Sequence, residues 1–286
     1  MTANFIQLLL GLPVKVTPSI FAYSMLYPYS DNYLDDPTIS RSTKMAFNQR
    51  FRERLLGKEV APNNPYEVTI TTLIEMIEKE WDRRLFPQVY DSLLAIHTAQ
   101  THSLGLVVPG ASPFELDVLG ISLEKGGTSV LADGYLAAGE LTAEQAGLLF
   151  GFGSFTQLMD DLEDIQEDIE EQRASLFSLS AAGWRLDRVT SQFVHYGRAV
   201  MADLSAFQSP AVPILEEIMG RCLDLILINS IGVMGQYYSE DYLNKVEHHM
   251  PFHFAAMQKQ RRRFKKEKIG IEQTLGWLMG FQQPSS

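Results

Sequence analysis

The chain has 286 residues, 45% of them hydrophobic, one cysteine and a formal net charge of −11. That length allows one large domain or two ordinary ones, with ample apolar material for a core. The negative balance argues against nucleic acid or an anionic membrane as partner, so an anionic substrate would need metal ions or a local basic pocket. The lone Cys222 excludes an intrachain disulfide and fits a reducing cytosol, hence a cytoplasmic protein.

From the N-terminus, Ile6–Leu10 is too short and too poorly flanked for a signal peptide or a membrane span, and no integral membrane segment is expected. Phe21–Asp36 (FAYSMLYPYSDNYLDD) places Ala22, Leu26, Tyr29 and Tyr33 at i, i+4, i+7 and i+11, a helical stripe with an expected kink at Pro28. On it Asp31 and Asp35 form one i,i+4 pair and Asn32 and Asp36 another. Asp36-Pro37 also reads as an N-cap and first-turn pair for the next helix.

Further on, Asn64-Pro65-Tyr66-Glu67 and Ser112-Pro113-Phe114-Glu115 each combine an N-cap residue, Pro at the first helical position and Glu at the third. Val68–Thr72 is β-branched but runs into a helical pattern at Leu73, Ile74, Met76 and Ile77. Breaks are expected at Gly57–Pro65, Val108–Pro113, Ser209–Pro213 and Tyr238–Glu240. Strand signals are nearly absent, and no repeat, low-complexity linker or composition shift divides the chain. The expected fold is a single all-α domain over residues 1–286, a bundle of roughly ten helices around a central cavity.

Thr142-Ala143-Glu144-Gln145 is a capping box opening a long helix that carries Gly151–Arg173 (GFGSFTQLMDDLEDIQEDIEEQR). Eight of the twelve residues from Asp160 to Glu171 are acidic. Leu158, Leu162, Ile165 and Ile169 form a buried stripe, with Asp160, Asp164 and Asp168 stacked at i, i+4 and i+8 and Asp161 between them and the stripe. Like charges at i,i+4 disfavour a helix by roughly a few tenths of a kcal/mol per pair. The bland alternative is a solvated acidic face; the functional one is hard oxygen ligation of Mg²⁺ together with substrate phosphate. Gly151 and Gly153 would let a helix or a ligand approach closely.

Two acidic patches in this order on helices resemble the class I terpenoid synthases: prenyl diphosphate synthases, class I terpene cyclases and squalene/phytoene synthases. DNYLDD at 31–36 resembles the first aspartate-rich motif, and DDLED at 160–164 fits DDxxD. Asp160, Asp164 and Asp168 also have the spacing of the second metal motif. Glu124–Ser129 before the small residues Ala132–Gly139 is similar to the kinked helix that senses the diphosphate. FAYSMLYPYSDNYLDD looks closest to squalene/phytoene synthases and related bacterial cyclases. Departures are Asn32, where an Asp would start D-Y-L-D-N, and an N-terminus of only about thirty residues before that motif, shorter than in relatives.

The resemblance implies Mg²⁺-dependent ionisation of a prenyl diphosphate, with three Mg²⁺ ions, followed by cyclisation or condensation in an apolar cavity. Asp31, Asp35, Asp36, Asp160, Asp161, Asp164 and Asp168 would be metal ligands, with Asp35, Asp160 and Asp164 foremost in catalysis. Arg41, Lys44, Lys125, Arg173 and Arg261 would bind the diphosphate, and Phe21, Tyr29, Tyr33, Phe152, Phe155 and Met159 would line the cavity, where aromatic faces stabilise a cation. Each of these can equally be a surface charge or an ordinary core residue. Alternatives are a chain-elongating prenyltransferase and a noncatalytic helical scaffold; a homodimer stays open.

Three remaining features are less specific. His248, His249 and His253 cluster, but Pro251 interrupts their helical spacing, which disfavours zinc. Lys259–Lys268 holds seven basic residues in ten, read as a solvated C-terminal helix or tail within 259–286, or as a lid bringing Arg261–Arg263 to the diphosphate, with Tyr237 or Tyr238 nearby in sequence. Leu223–Met234 reads as a core helix whose Asn229 and Ser230 need polar partners.

Overall fold

The computed structural model describes residues 2–36, 38–106, 116–249 and 253–254. Among these the chain is all-helical, with no strand and twelve α-helices: α1 (Thr2–Leu9), α2 (Pro18–Asp35), α3 (Arg41–Leu55), α4 (Pro65–Glu80), α5 (Pro87–Ser103), α6 (Val118–Ala138), α7 (Ala143–Glu163), α8 (Ile165–Glu170), α9 (Leu176–Ala181), α10 (Asp187–Ala202), α11 (Val212–Val233) and α12 (Glu240–Glu247). No helix among the described residues is long and apolar enough to cross a membrane.

The helix starts follow the local chemistry. Asn64 caps α4, its side chain accepting from the Glu67 N–H, with Pro65 in the first turn. Thr142 and Gln145 form the reciprocal capping box at the start of α7. The expected start at Ser112–Glu115 lies outside the described residues, and α6 is capped by Asp117, which accepts from the Gly120 N–H. Asp36 does not cap α3: Ser40 does, accepting from the Thr43 N–H at 3.2 Å, while Asp36 accepts from both the N–H and the hydroxyl of Thr38 in a local turn. Pro28 lies inside α2 without ending it.

Helix α6 sits at the centre, packed by α1, α2, α5 and, most extensively, α7. Small residues make that closeness possible. A Cβ on Gly126 of α6 would collide with the carbonyl oxygen of Gly153 on α7, and one on Gly153 would strike the carbonyl of Gly126. Gly153 therefore does admit a close approach, by a helix. The small-residue stretch of α6 runs as one unbroken helix, without an interruption at Glu124–Ser129.

Three large apolar clusters fill the interior, with a small fourth at Leu106, Val118 and Ala174. One joins α2–α5 through Leu26, Tyr33, Phe47, Ile74 and Leu93. A second joins one side of α7 (Phe155, Leu158, Leu162) to Phe177, Phe193 and Ile231. The third holds α1 against α6 and α7 through Ile6, Leu9, Leu149 and Phe152. Helix α11 is less of a core helix than its composition predicts. Leu227, Ser230 and Ile231 are buried, whereas Ile214, Ile218, Leu225 and Ile226 are exposed. Ser230 finds its partners in the Glu163 carboxylate, at 2.8 Å, and the Ile226 carbonyl.

Candidate functional site

The acidic stretch is not one continuous helix. Helix α7 stops at Glu163, Asp164 takes a non-helical conformation (φ −101°, ψ 10°), and α8 restarts at Ile165. Hydrogen bonds bridge the break, from the Asp164 N–H to the Asp160 carbonyl (2.9 Å) and from the Asp168 N–H to the Asp164 carbonyl (2.8 Å). The chain then turns through Gln172, whose φ of +57° is in the left-handed region and unusual for a residue with a side chain. That turn brings Arg173 back over α8, its N–H bonded to the Asp168 carbonyl at 2.8 Å, and Ala174 donates to Leu106 beyond α5.

The result is a cavity of about 170 Å³ lined by Asp160, Asp161, Asp164 and Asp168, with Lys125 and Ser122 from α6 and Arg173 from the returning loop. Gln157, Glu167, Glu171, Ser103 and Ser175 complete its polar wall.

Asp161 accepts from Gln157 Nε2 at 3.0 Å through Oδ1, whereas its Oδ2 is fully buried and has no hydrogen-bond partner among the described residues. Burial raises the Asp161 pKa, tempered by Gln157, the nearby Ser122 hydroxyl and Lys125. Asp160 is pushed up to about 6 by burial and then by Asp161, Asp164 and Glu163, with Lys125 pulling the other way. Asp168 also rises to about 6, through burial and the charges of Asp161 and Asp164, against the Ser175 hydroxyl and Arg173. Arg173 Nε stands 3.7 Å from Asp168 Oδ1, and its Nη2 bonds Glu171 at 2.9 Å. Among the described residues, negative charge at this cavity exceeds the positive charge facing it.

The first acidic patch is placed elsewhere. Asp31 accepts from Gln100 Nε2 on α5 at 2.8 Å, and Asp36 is engaged by Thr38. Neither lines the acidic cavity, though Gln100 is one turn from Ser103, which does. The side chain of Asp35 lies outside the described residues, as does Arg261. Arg41 is exposed at the start of α3, and Lys44 lies one turn further on; neither lines the cavity. Among the described residues no group of three or more His, Cys, Asp or Glu side chains is close enough, as the side chains stand, to hold a metal ion.

The expected aromatic lining is not gathered at the acidic cavity. Phe21 is 46% exposed on α2. Tyr29 packs on Tyr66 at 4.7 Å and Tyr33 on Phe47 at 4.4 Å. Phe152 faces Phe5 at 5.7 Å, Phe155 stacks on Phe193 at 4.7 Å, and Met159 joins the Phe155 cluster. The physical reason is packing: with 3.6 residues per turn, Phe155 and Met159 fall on the apolar side of α7, away from Gln157, Asp160, Asp161 and Asp164.

Gln157, Ser122, Ser175 and the strained Gln172 were not singled out from the sequence. Gln157 had a signal, being four residues before Asp161; Ser122 and Ser175 arrive from other elements and had none. His249 sits in a different groove, among α10–α12, and His253 Nδ1 is 3.6 Å from Glu247. Arg50 and Arg54, by contrast, are consumed in the α3–α4 interface by Glu67 and Glu78.

No family model, no curated protein and no solved structure matches the chain, so the resemblance to class I terpenoid synthases rests on the motif residues alone.

Proposed function

We propose that the chain binds Mg²⁺ at the acidic cavity, holds the diphosphate of a prenyl substrate there, and promotes its ionisation toward cyclisation or condensation. What supports this is the gathering of Asp160, Asp161, Asp164 and Asp168 around one cavity with Lys125 and Arg173, with burial and mutual repulsion holding Asp160 and Asp168 near pKa 6. The donor set fits the ion: carboxylate oxygens are hard ligands, and the buried Asp161 Oδ2 has no hydrogen-bond partner among the described residues. When bound, Mg²⁺ supplies Lewis-acid neutralisation of the charge that builds on a departing diphosphate.

The chain's own residues do the rest. Gln157 and Ser122 orient the Asp161 carboxylate, and the Ser175 hydroxyl with Arg173 holds Asp168. Lys125 and Arg173 are the cations placed to meet diphosphate oxygens. No side-chain nucleophile or general base is required for heterolysis of the substrate's C–O bond.

The test is pyrophosphate release from geranyl, farnesyl and geranylgeranyl diphosphates, each with Mg²⁺ and with EDTA. Release that requires Mg²⁺ and is lost in Asp161→Asn supports the proposal. A folded chain that releases none overturns it.

A second reading, a helical scaffold without catalysis, draws on a specific observation. Tyr33, Phe155 and Met159 are packed into the core, and Asp31 is held by Gln100. Calorimetric titration with Mg²⁺ and pyrophosphate separates the two, because a scaffold has no reason to bind them together.

A further inference from the structure

Helix α11 turns an apolar stripe outward. Ile214, Ile218, Cys222 and Leu225 recur at i, i+4, i+8 and i+11, and all four are exposed, Ile214 by 59%. At 3.6 residues per turn they fall within about 80° of one another around the helix. A stripe of this kind is ordinarily covered. Its C-terminal end is closed by Phe254, which is buried against Gly232, where a Cβ would meet its ring.

The two flanks of the stripe differ. One is apolar, with Leu215, Met219 and the exposed Ile226. The other carries Glu217, Arg221 and Asp224, with Glu217 held by Arg221 at 2.6 Å. Arg221 and Asp224 border a groove of about 610 Å³ between α10, α11 and α12, and its other walls add Arg198, His195 and His249. Besides the histidines, this flank and its groove carry two guanidiniums, Arg198 and Arg221, against two carboxylates, Glu217 and Asp224. Glu216 lies on the opposite side of α11, at a separate cavity of about 280 Å³. A charge-balanced flank beside an apolar stripe suits neither a polyanion nor a polycation. It suits a surface that carries both signs in the same order.

We propose that α11 is the contact of a homodimer, with two copies set antiparallel about a twofold axis that passes between Arg221 and Cys222. Symmetry then fixes the pairing, because residue i meets residue j of the second copy wherever j meets i. Ile218 and Leu225 are equidistant from that axis, so each packs on the other across the interface, and the two Cys222 side chains lie next to it. A twofold axis perpendicular to the helices keeps each flank on its own side. Leu215, Met219 and Ile226 therefore meet the same three residues of the second copy. On the charged flank each Arg221 comes within reach of Asp224 of the second copy while keeping Glu217 of its own chain, so that two guanidiniums sit among four carboxylates, with Arg198 at the rim. One helix pair is toward the low end of specific interfaces, so the dimer should dissociate in the micromolar range. This surface lies beyond the apolar core of α7 from the acidic cavity, so the proposal stands independently of the function assigned to that cavity.

Sedimentation velocity over a dilution series is expected to show reversible monomer–dimer exchange. Ile218 and Leu225 are about half exposed in the single chain, so Ile218→Asp and Leu225→Asp leave its fold intact. Each is expected to weaken association at least about a hundredfold, because a twofold interface meets every substitution twice. A chain that is monomeric at every concentration, or a dimer that ignores both substitutions, overturns the proposal.

Disulfide capture reads the register. Cys222 is the only thiol, and mild oxidation should link two chains through it. A dimer that forms without this link has its axis elsewhere and overturns the proposal. With Cys222→Ser as background, Ile218→Cys and Leu225→Cys proteins should link to each other, when mixed, at least about tenfold faster than either links to itself. Self-linking as fast as mixed linking overturns the antiparallel pairing and the proposal with it.

Discussion

Two sets of desolvated carboxylates in this molecule behave in opposite ways. At the α3–α4 interface burial acts to raise the pKa values of Glu67 and Glu78, yet both end below their usual range. Arg50 and the Asn63 N–H hold Glu67, and Arg54 and Arg83 hold Glu78. In the acidic cavity burial acts the same way on Asp160, Asp161 and Asp168; neighbouring carboxylates add to it at Asp160, and the donors around Asp161 and Asp168 only temper it, so all three end above their usual range. The difference is therefore one of partners. Among the described residues one set has its cations in contact and the other has more carboxylates than cations, which is the physical case for a ligand that carries positive charge.

The comparison can be broken most forcefully on the paired side. Glu67→Gln leaves the Arg50 guanidinium without its carboxylate at a largely buried site and is expected to cost about 3 kcal/mol in denaturant unfolding. On the unpaired side Mg²⁺ is expected to raise stability by about 2.7 kcal/mol at a concentration a hundredfold above its Kd. That gain should vanish in Asp161→Asn. A chain whose melting temperature ignores Mg²⁺ would remove the case for a cation site.

A smaller effect has the opposite sign from the Glu67 substitution. Without metal, Asp161→Asn should stabilise the chain, on the order of 1 kcal/mol, because it removes a buried charge whose Oδ2 has no donor among the described residues. A loss of stability would mark Asp161 as a structural carboxylate.

The smallest effect is on pH dependence. Asp160 and Asp168 have folded pKa values of about 6, above the 3.8 of the free side chain. The stability they contribute is fully present below the unfolded pKa and is lost as pH rises through about 6. This pair should therefore add stability to the metal-free chain between pH 7 and pH 5, alongside Asp133, which burial raises to about 7, and against His97, which burial lowers to about 4 and whose contribution is lost as pH falls. Glu67 and Glu78 have lowered values, so their contribution is lost only at more acid pH and leaves that window untouched. Asp160→Asn/Asp168→Asn should remove the pair's contribution and leave that of Asp133 and His97, and Mg²⁺, which competes with protons for the two carboxylates, should reverse the sign of the pair's contribution. Thermal melts across the range read all three outcomes.

The helical class was legible because each local signal agreed with it. Asn64-Pro65 and Thr142–Gln145 are caps that work through their own neighbours, and they appear as expected. The acidic half of the candidate site was legible for the same reason, as one run of sequence. Its other half was not. Ser103, Ser122, Lys125 and Ser175 reach the cavity from three other segments, and of these only Lys125 was named. The aromatics mark another limit: periodicity tells that Tyr33, Phe155 and Met159 are inside, but an interior packed solid and an interior holding a chamber have the same pattern. Asp36 shows a finer limit. Its capping chemistry was correctly sensed, but Thr38 is the residue it caps, and Ser40 starts the helix.

The contact of Gly126 with Gly153 has a kinetic side. It joins helices adjacent in the chain, separated by a short turn at Gly139–Thr142, so the contact closes a small loop and is of the kind that forms early in folding. Ser122, Lys125, Gln157 and Asp161 flank that crossing, which means that the carboxylates are drawn out of water while much of the chain is still unpacked. Their repulsion then opposes the climb to the transition state more than it hastens the descent from the native state. In stopped-flow mixing, neutralising Asp161 should accelerate refolding and leave the unfolding arm nearly unmoved.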